Sequence, residues 1–113
     1  MGRDHLGEFE HLVLLAILRL GDGAYAPAIL DEIELRTGRP PSAGSVYVTL
    51  DRLEEKGLIR SRLDARLDAA RDDRGGRPRR YVSVTAAGLR RVRASRAALV
   101  ALWRGLEGLL DGA

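Results

Sequence analysis

Two prolines and one glycine fence off the stretch that limits this chain most. Pro40 and Pro41 cannot lie inside a helix, because proline lacks the amide proton and its ring collides with the preceding turn. Ser42 can accept a hydrogen bond from the first free amides of a helix, and Gly57 suits a left-handed stop. The run Ser42-Ala-Gly-Ser-Val-Tyr-Val-Thr-Leu-Asp-Arg-Leu-Glu-Glu-Lys-Gly57 is therefore expected to be one helix of about four turns. Val46, Leu50 and Leu53 fall at i, i+4 and i+7, an apolar stripe that must face a core. The outward side carries Gly44, Ser45, Val48, Asp51, Arg52 and Glu55, with Tyr47 and Thr49 on the flanks. A helix that only packs would gain propensity from Ala, Glu or Lys there, whereas Gly44, Ser45, Val48 and Thr49 are poor helix formers. Small residues let a backbone approach a partner closely, and an α-helix fits the major groove of DNA.

Length allows one domain with a modest core, since the chain has 113 residues. Aromatics are only 4% against 45% hydrophobic residues, so the core must be built from Leu, Val, Ile and Ala, a composition typical of helical folds. Cysteine is absent, which leaves no disulfide framework or thiolate metal site and fits a reducing compartment. The apolar run Leu12 to Leu18 ends at Arg19, short of the roughly 20 residues a membrane span needs. With no signal-peptide layout before it, a cytoplasmic protein without membrane contact is expected.

The net charge of +3 conceals a split. Residues 1–58 hold six Lys or Arg against ten Asp or Glu, and residues 59–113 hold thirteen against six. A basic half invites a polyanion, and arginine suits phosphate because its planar fork bonds two oxygens at once. Arginine-rich usage also follows from genome composition, so charge alone does not decide the partner.

Taken in order, the chain opens with a helix from about His5 to Leu20. Phe9, Leu12, Val13, Ala16, Ile17 and Leu20 make one face, and Leu14, Leu15 and Leu18 make a second that one small core cannot cover. That second face is expected to meet another protomer. Gly21-Asp-Gly23 ends the helix, and the next runs from near Pro27 to Arg36 with Ile29 and Ile33 inward. Thr37-Gly-Arg-Pro-Pro41 turns into the bounded helix, completing a helix-turn-helix. After Gly57 the period becomes two. Leu58, Ile59 and Leu63, then Arg80-Tyr-Val-Ser-Val84, read as two strands of a hairpin, separated by a mixed-charge loop from Asp64 to Arg74 and a Gly75-Gly76 bend. Thr85 caps a last helix from Ala86 to about Leu110, where Leu99, Leu102, Trp103, Leu106 and Leu110 recur at threes and fours.

Three segments resemble one family. Ser45-Val-Tyr-Val-Thr-Leu-Asp-Arg-Leu-Glu-Glu-Lys-Gly-Leu-Ile59 resembles the recognition helix of PadR-family winged helix-turn-helix regulators. Leu6-Gly-Glu-Phe-Glu-His-Leu-Val-Leu-Leu-Ala-Ile-Leu18 resembles that family's first helix, and Gly75-Gly-Arg-Pro-Arg-Arg-Tyr-Val-Ser-Val-Thr-Ala-Ala-Gly88 its wing and the start of its last helix. Where the family often has a Tyr-Gly-Tyr-Glu-like run, this chain has Tyr25-Ala-Pro-Ala28. The resemblance implies a mainly α fold with a small β-hairpin: a winged helix-turn-helix over residues 1–85 and a C-terminal dimerisation helix over 86–113.

On this reading Ser45, Val48, Thr49 and Arg52 reach base edges, while Tyr47 and the helix start at Ser42 hold phosphate. Arg77, Arg79 and Arg80 lie along the phosphates as a wing. Leu14 and Leu18 with Leu99, Leu102, Trp103, Leu106 and Leu110 form the dimer interface. The expected partners are an inverted-repeat DNA operator and a second copy of the chain. Some PadR-like proteins take planar aromatic compounds on the last helix; here Leu99 and Trp103 are the matching surface, with Trp103 one turn beyond the family's position. Such a repressor would control a transporter or detoxification operon.

An enzyme is not indicated. His5 and His11 stand six apart, on different faces of a helix, and the chain has neither a phosphate-cradling Gly-x-x-x-x-Gly-Lys nor a nucleophile elbow, so no cofactor is expected. The remaining alternative is a winged-helix module for protein interaction. Such a module has no need of Arg52 on the exposed helix together with arginines on the wing, which favours DNA.

Overall fold

The computed structural model describes residues 5–64 and 78–111. In chain order they form α1 (Glu8–Leu20), a 3₁₀ turn (Gly21–Gly23), α2 (Ala26–Thr37), α3 (Ala43–Glu55), β1 (Ile59–Asp64), β2 (Arg79–Val84), α4 (Ala86–Trp103) and α5 (Glu107–Asp111). The first three helices enclose the core and the antiparallel hairpin closes its side, the mainly α winged-helix architecture expected from the sequence. The expected loop over 64–74 and the Gly75-Gly76 bend lie outside the described residues from 65 onward.

The first helix starts at Glu8, later than the expected His5, because Glu10 folds back on the helix start: its Oε1 accepts the Gly7 amide at 2.9 Å. Val13, Leu14, Ala16 and Ile17 are buried along α1. The expectation that Leu14 lies on an interface is corrected, since it is fully buried within its own chain. Leu14 sits between Val13 and Ile17 on one stripe, so the exposed second face of α1 reduces to Leu15 and Leu18. Pro27 stands in the first turn of α2, and Gly38, at φ +75°, stops it. Ile29 and Ile33 face the core.

The hairpin pairs Ile59 with Val84 through to Asp64 with Arg79. Ile59 and Val82 are its buried residues. The Val82 amide also donates to the Ala24 carbonyl at 2.9 Å, which fastens the hairpin to the segment ahead of α2. At the start of α4, Thr85 Oγ1 accepts the Gly88 amide at 3.1 Å and donates to the Gly57 carbonyl at 2.7 Å. Gly88 lies against β1 so closely that a Cβ there would stand 2.1 Å from the Leu58 carbonyl oxygen.

The last helix is not the single rod its heptad-like spacing predicts. It stops at Trp103, where Gly105 takes φ +89° and donates its amide to Glu107 Oε1 at 3.0 Å, and α5 begins. Glycine at this position opens the helix, overriding the leucine repeat. From Leu99 to Leu110 every large apolar side chain is exposed, Leu102 at 75%. Among the described residues, no helix is long and apolar enough to cross a membrane.

Candidate nucleic-acid interface

Helix α3 is fixed at both ends by the residues that the sequence marks. Ser42 Oγ accepts the Ser45 amide at 3.1 Å, and Gly57 takes φ +76° beyond the C-cap Lys56. Ser45 returns the contact, donating its hydroxyl to the Ser42 carbonyl at 3.0 Å and standing 2.7 Å from Ser42 Oγ. Val46, Leu50 and Leu53 anchor the inner stripe. Opposite them Val48 is 55% and Tyr47 45% exposed, and Ser45 and Arg52 are open to solvent. A shallow apolar-to-polar face is thus presented by a helix that cannot roll.

Thr49 is corrected. It is only 4% exposed, packed beside the inner stripe, so its side chain cannot reach a base edge from the outward face. Among the described residues Arg52 makes no hydrogen bond or ion pair, which leaves its guanidinium available.

The hairpin is joined to α3 by one residue. Arg80 donates from Nε to Ser61 Oγ at 3.0 Å, from one terminal nitrogen to Asp51 at 3.0 Å and from the other to Glu54 at 2.6 Å. Ser61 in turn donates to Glu54 at 2.6 Å. Arg80 is thus placed differently from an open wing cation: all three nitrogens are engaged within the chain. Burial alone would lower the Arg80 pKa, but the two carboxylates raise it overall, so it stays cationic. The Ser61 and Arg80 hydrogen bonds hold the Glu54 carboxyl below its usual range. Arg80 bridges Asp51 and Glu54 and offsets one of their two negative charges.

Arg79 lies over the Tyr25 ring at 4.6 Å, Tyr25 meets Tyr81 at 5.6 Å, and Arg62 lies over Tyr81 at 4.8 Å. Arg62 also donates to the Asp22 carbonyl at 3.2 Å. This ladder braces the hairpin against the corner between α1 and α2, which gives Tyr25 in Tyr25-Ala-Pro-Ala28 a packing role. Arg77 lies outside the described residues.

Two polar contacts behind α3 were missed by sequence reasoning. Lys56 Nζ donates to Glu10 Oε2 at 2.9 Å, tying the end of α3 to the start of α1. Burial pushes the Glu10 carboxyl up, but the Gly7 amide and the Lys56 ammonium outweigh it and hold the carboxyl below its ordinary value. The signal was present, since Glu10 stands three and four residues before Val13 and Leu14 on the buried stripe, where a carboxylate needs a cation. His11 Nδ1 lies 2.9 Å from Ser95 Oγ, joining α1 to α4, and burial lowers its pKa. Among the described residues, no cluster of His, Asp and Glu is arranged to hold a metal.

The residues expected to associate are open, with the exception of Leu14. Leu15 and Leu18 are exposed on α1, and Leu99, Leu102, Trp103, Leu106 and Leu110 are exposed along α4 and beyond it.

The comparisons with known proteins agree with this geometry. Among solved structures, a PadR-family transcriptional regulator from Eggerthella lenta is 30% identical at a TM-score of 0.64, over 94% of this chain and 88% of that one. A PadR-like transcriptional regulator from Bacillus cereus superposes at a TM-score of 0.69 with 22% identity over 93% of each chain, a likeness of fold. A transcriptional regulator from Clostridium thermocellum shares the fold at 0.65 and 18% identity, over 91% of this chain and 89% of that one. Among curated proteins, none matches the sequence significantly. The family model for PadR-like transcriptional regulators matches residues 14–94, from the first helix through the helix-turn-helix and hairpin into α4, and the chain belongs to that family.

Proposed function

We propose that the chain works as a homodimeric, sequence-specific repressor that reads an inverted repeat in double-stranded DNA. The observation that carries this reading is the open stripe Ser45, Val48 and Arg52 on a helix whose opposite side is locked into the core. Arg52 bonds the two major-groove acceptors of a guanine, and Val48 touches a thymine methyl. Tyr47 and the amides at the start of α3 beside Ser42 meet phosphate, and Arg77 and Arg79 add affinity with little choice of sequence. Residues 1–85 serve as the DNA-binding part and residues 86–113 as the dimerisation part. Leu15 and Leu18 of one protomer and Leu99, Leu102, Trp103, Leu106 and Leu110 of the other cover one another. A twofold axis then sets two α3 helices about 34 Å apart, one turn of DNA. The regulated operon is expected to encode a transporter or a detoxifying activity.

Selection of binding sequences from a random duplex library tests the reading directly. The expected product is an inverted repeat with half-site centres about ten base pairs apart. On that operator Arg52→Ala costs about 1–3 kcal/mol and relaxes preference at one base pair, while random duplex loses little. Equal losses on both overturn the assignment of Arg52. Failure to enrich any sequence favours the protein-interaction module instead.

A further inference from the structure

Asp51 stands where the open stripe of α3 borders the hairpin. On a helix surface the neighbours of a residue are those three and four positions away, here Tyr47, Val48 and Glu55, with Arg52 next in the chain. Tyr47, Val48 and Arg52 are exposed, and the Asp51 side chain is 73% open. A carboxylate there shares the sign of the phosphates that a groove-bound helix lies between, and a free one must also be ordered at a cost in rotamer entropy. The hairpin meets both difficulties. Arg80 donates from one terminal nitrogen to Asp51 Oδ1 at 3.0 Å, which supplies a cation and holds the side chain in one orientation. Arg80 is itself fixed, because its other two nitrogens are held by Ser61 Oγ at 3.0 Å and Glu54 Oε1 at 2.6 Å. Asp51 Oδ2 has no partner among the described residues. The result is a hydrogen-bond acceptor braced from one side and open on the other.

We propose that Asp51 is a base-selecting residue of α3, with Arg80 as its positioning residue. The open oxygen accepts the exocyclic amino group of cytosine, directly or through one bridging water. Rejection contributes as much as attraction. A carboxylate only accepts, and the major-groove edge of guanine offers O6 and N7 and that of thymine O4, so either base sets acceptor against acceptor. Adenine presents an amino group beside the N7 acceptor and ranks between them and cytosine. This assignment rests on the DNA reading proposed above and adds to it a second selective position beside Arg52.

The test repeats the selection from a random duplex library with the full chain and its variants, reading base preference at each position in place of total affinity. Wild type is expected to prefer cytosine at one position of each half-site by about tenfold, within the range of one good base contact. Asp51→Asn, which keeps the shape and adds a donor, loses that preference, while the position assigned to Arg52 keeps its own. Arg80→Gln relaxes the same base pair and Arg80→Lys recovers part of the preference. The double variant Asp51→Asn with Arg80→Gln loses no more than either alone, the mark of two residues acting through one contact. A role for Arg80 in stability alone would lower affinity for every sequence alike and leave the profile as it was; helix content and unfolding midpoint are followed alongside. Arg60→Gln removes an equal charge from a strand position with no hydrogen bond or ion pair to α3 among the described residues, and leaves the profile unchanged. An enriched operator whose profile is indifferent to Asp51→Asn overturns the selecting role and leaves the DNA reading standing. Preference lost in Asp51→Asn but kept in Arg80→Gln, or lost equally in Arg60→Gln, overturns the positioning role. A library from which wild type enriches nothing overturns the DNA reading and this assignment together.

Discussion

The three-helix body and the end of α4 are written with the same leucines and valines, and they meet opposite conditions. In the body Leu14, Leu50 and Leu53 are covered by their own chain, whereas Leu99, Leu102 and Leu106 stay 50%, 75% and 43% exposed among the described residues. The difference is one of neighbours and not of residue type: α1, α2, α3 and the hairpin supply one another with surface, and among the described residues Val92 is the last buried position of α4, with Ser95 still held to His11. Apolar residues in the body stabilise folding; under the proposed function those at the end of α4 stabilise association instead.

The largest expected effect draws that line. Leu53→Ala in the body should lower folding stability by about 2–5 kcal/mol, from lost transfer energy and the cavity it leaves. Leu102→Ala should leave unfolding of the dilute chain unchanged and weaken self-association instead. Urea unfolding at two protein concentrations, with light scattering, separates the outcomes. Comparable losses of folding stability would mean that α4 belongs to the core.

Next is the seam between the regions. Gly88→Ala forces a methyl group to within 2.1 Å of the Leu58 carbonyl oxygen, so either α4 or β1 must shift. The expected loss is about 1–3 kcal/mol, the usual range for overpacking. Gly108→Ala, where an added Cβ meets nothing within 4 Å, is the control and should be close to neutral.

A smaller effect is expected at Glu10. Its folded pKa is held below the ordinary value, so the ion pair with Lys56 stabilises fully above the usual carboxylate range and that stability is lost as the pH falls through the folded value. Glu10→Gln leaves Lys56 without its carboxylate and should cost about 1–3 kcal/mol at neutral pH while flattening the acid limb below about pH 4. An unchanged acid limb would place that titration elsewhere.

The smallest effect belongs to His11, whose depressed folded pKa favours the neutral ring. Stability that depends on it is complete above the unfolded value near 6.5 and declines as the pH falls through it. His11→Gln should remove a shallow slope between about pH 5 and 7, followed by thermal unfolding across that range.

What the sequence made legible was local. Pro40, Pro41, Ser42 and Gly57 bound α3 by their own backbone chemistry, and period two located the strands to within a residue or two. Legibility ended where distant segments meet. Leu14 was misplaced because a helix apolar nearly all round has no unambiguous stripe until its neighbours are known. The contacts of Arg80 with Asp51 and Glu54 span 29 and 26 residues, and no spacing rule links them. The break after Trp103 had a signal in Gly105 and Gly108, which the leucine repeat outweighed. Of the reading face, the exposure of Ser45, Tyr47, Val48 and Arg52 followed from the α3 stripe; Thr49, one position around the helix, did not.

The Arg80 junction bears on how such a protein can acquire a new target. Under the proposed function, changing the bases that α3 reads invites a graft of the helix alone, with residues 43–55 exchanged for those of a relative. Because residue 80 grips positions 51 and 54 from the hairpin and shares Ser61 with them, a graft without those partners would strand a half-buried arginine against the new helix. Transferable specificity here is a discontinuous unit of the helix and two hairpin positions, and a successful retargeting should keep 51 and 54 matched to 61 and 80.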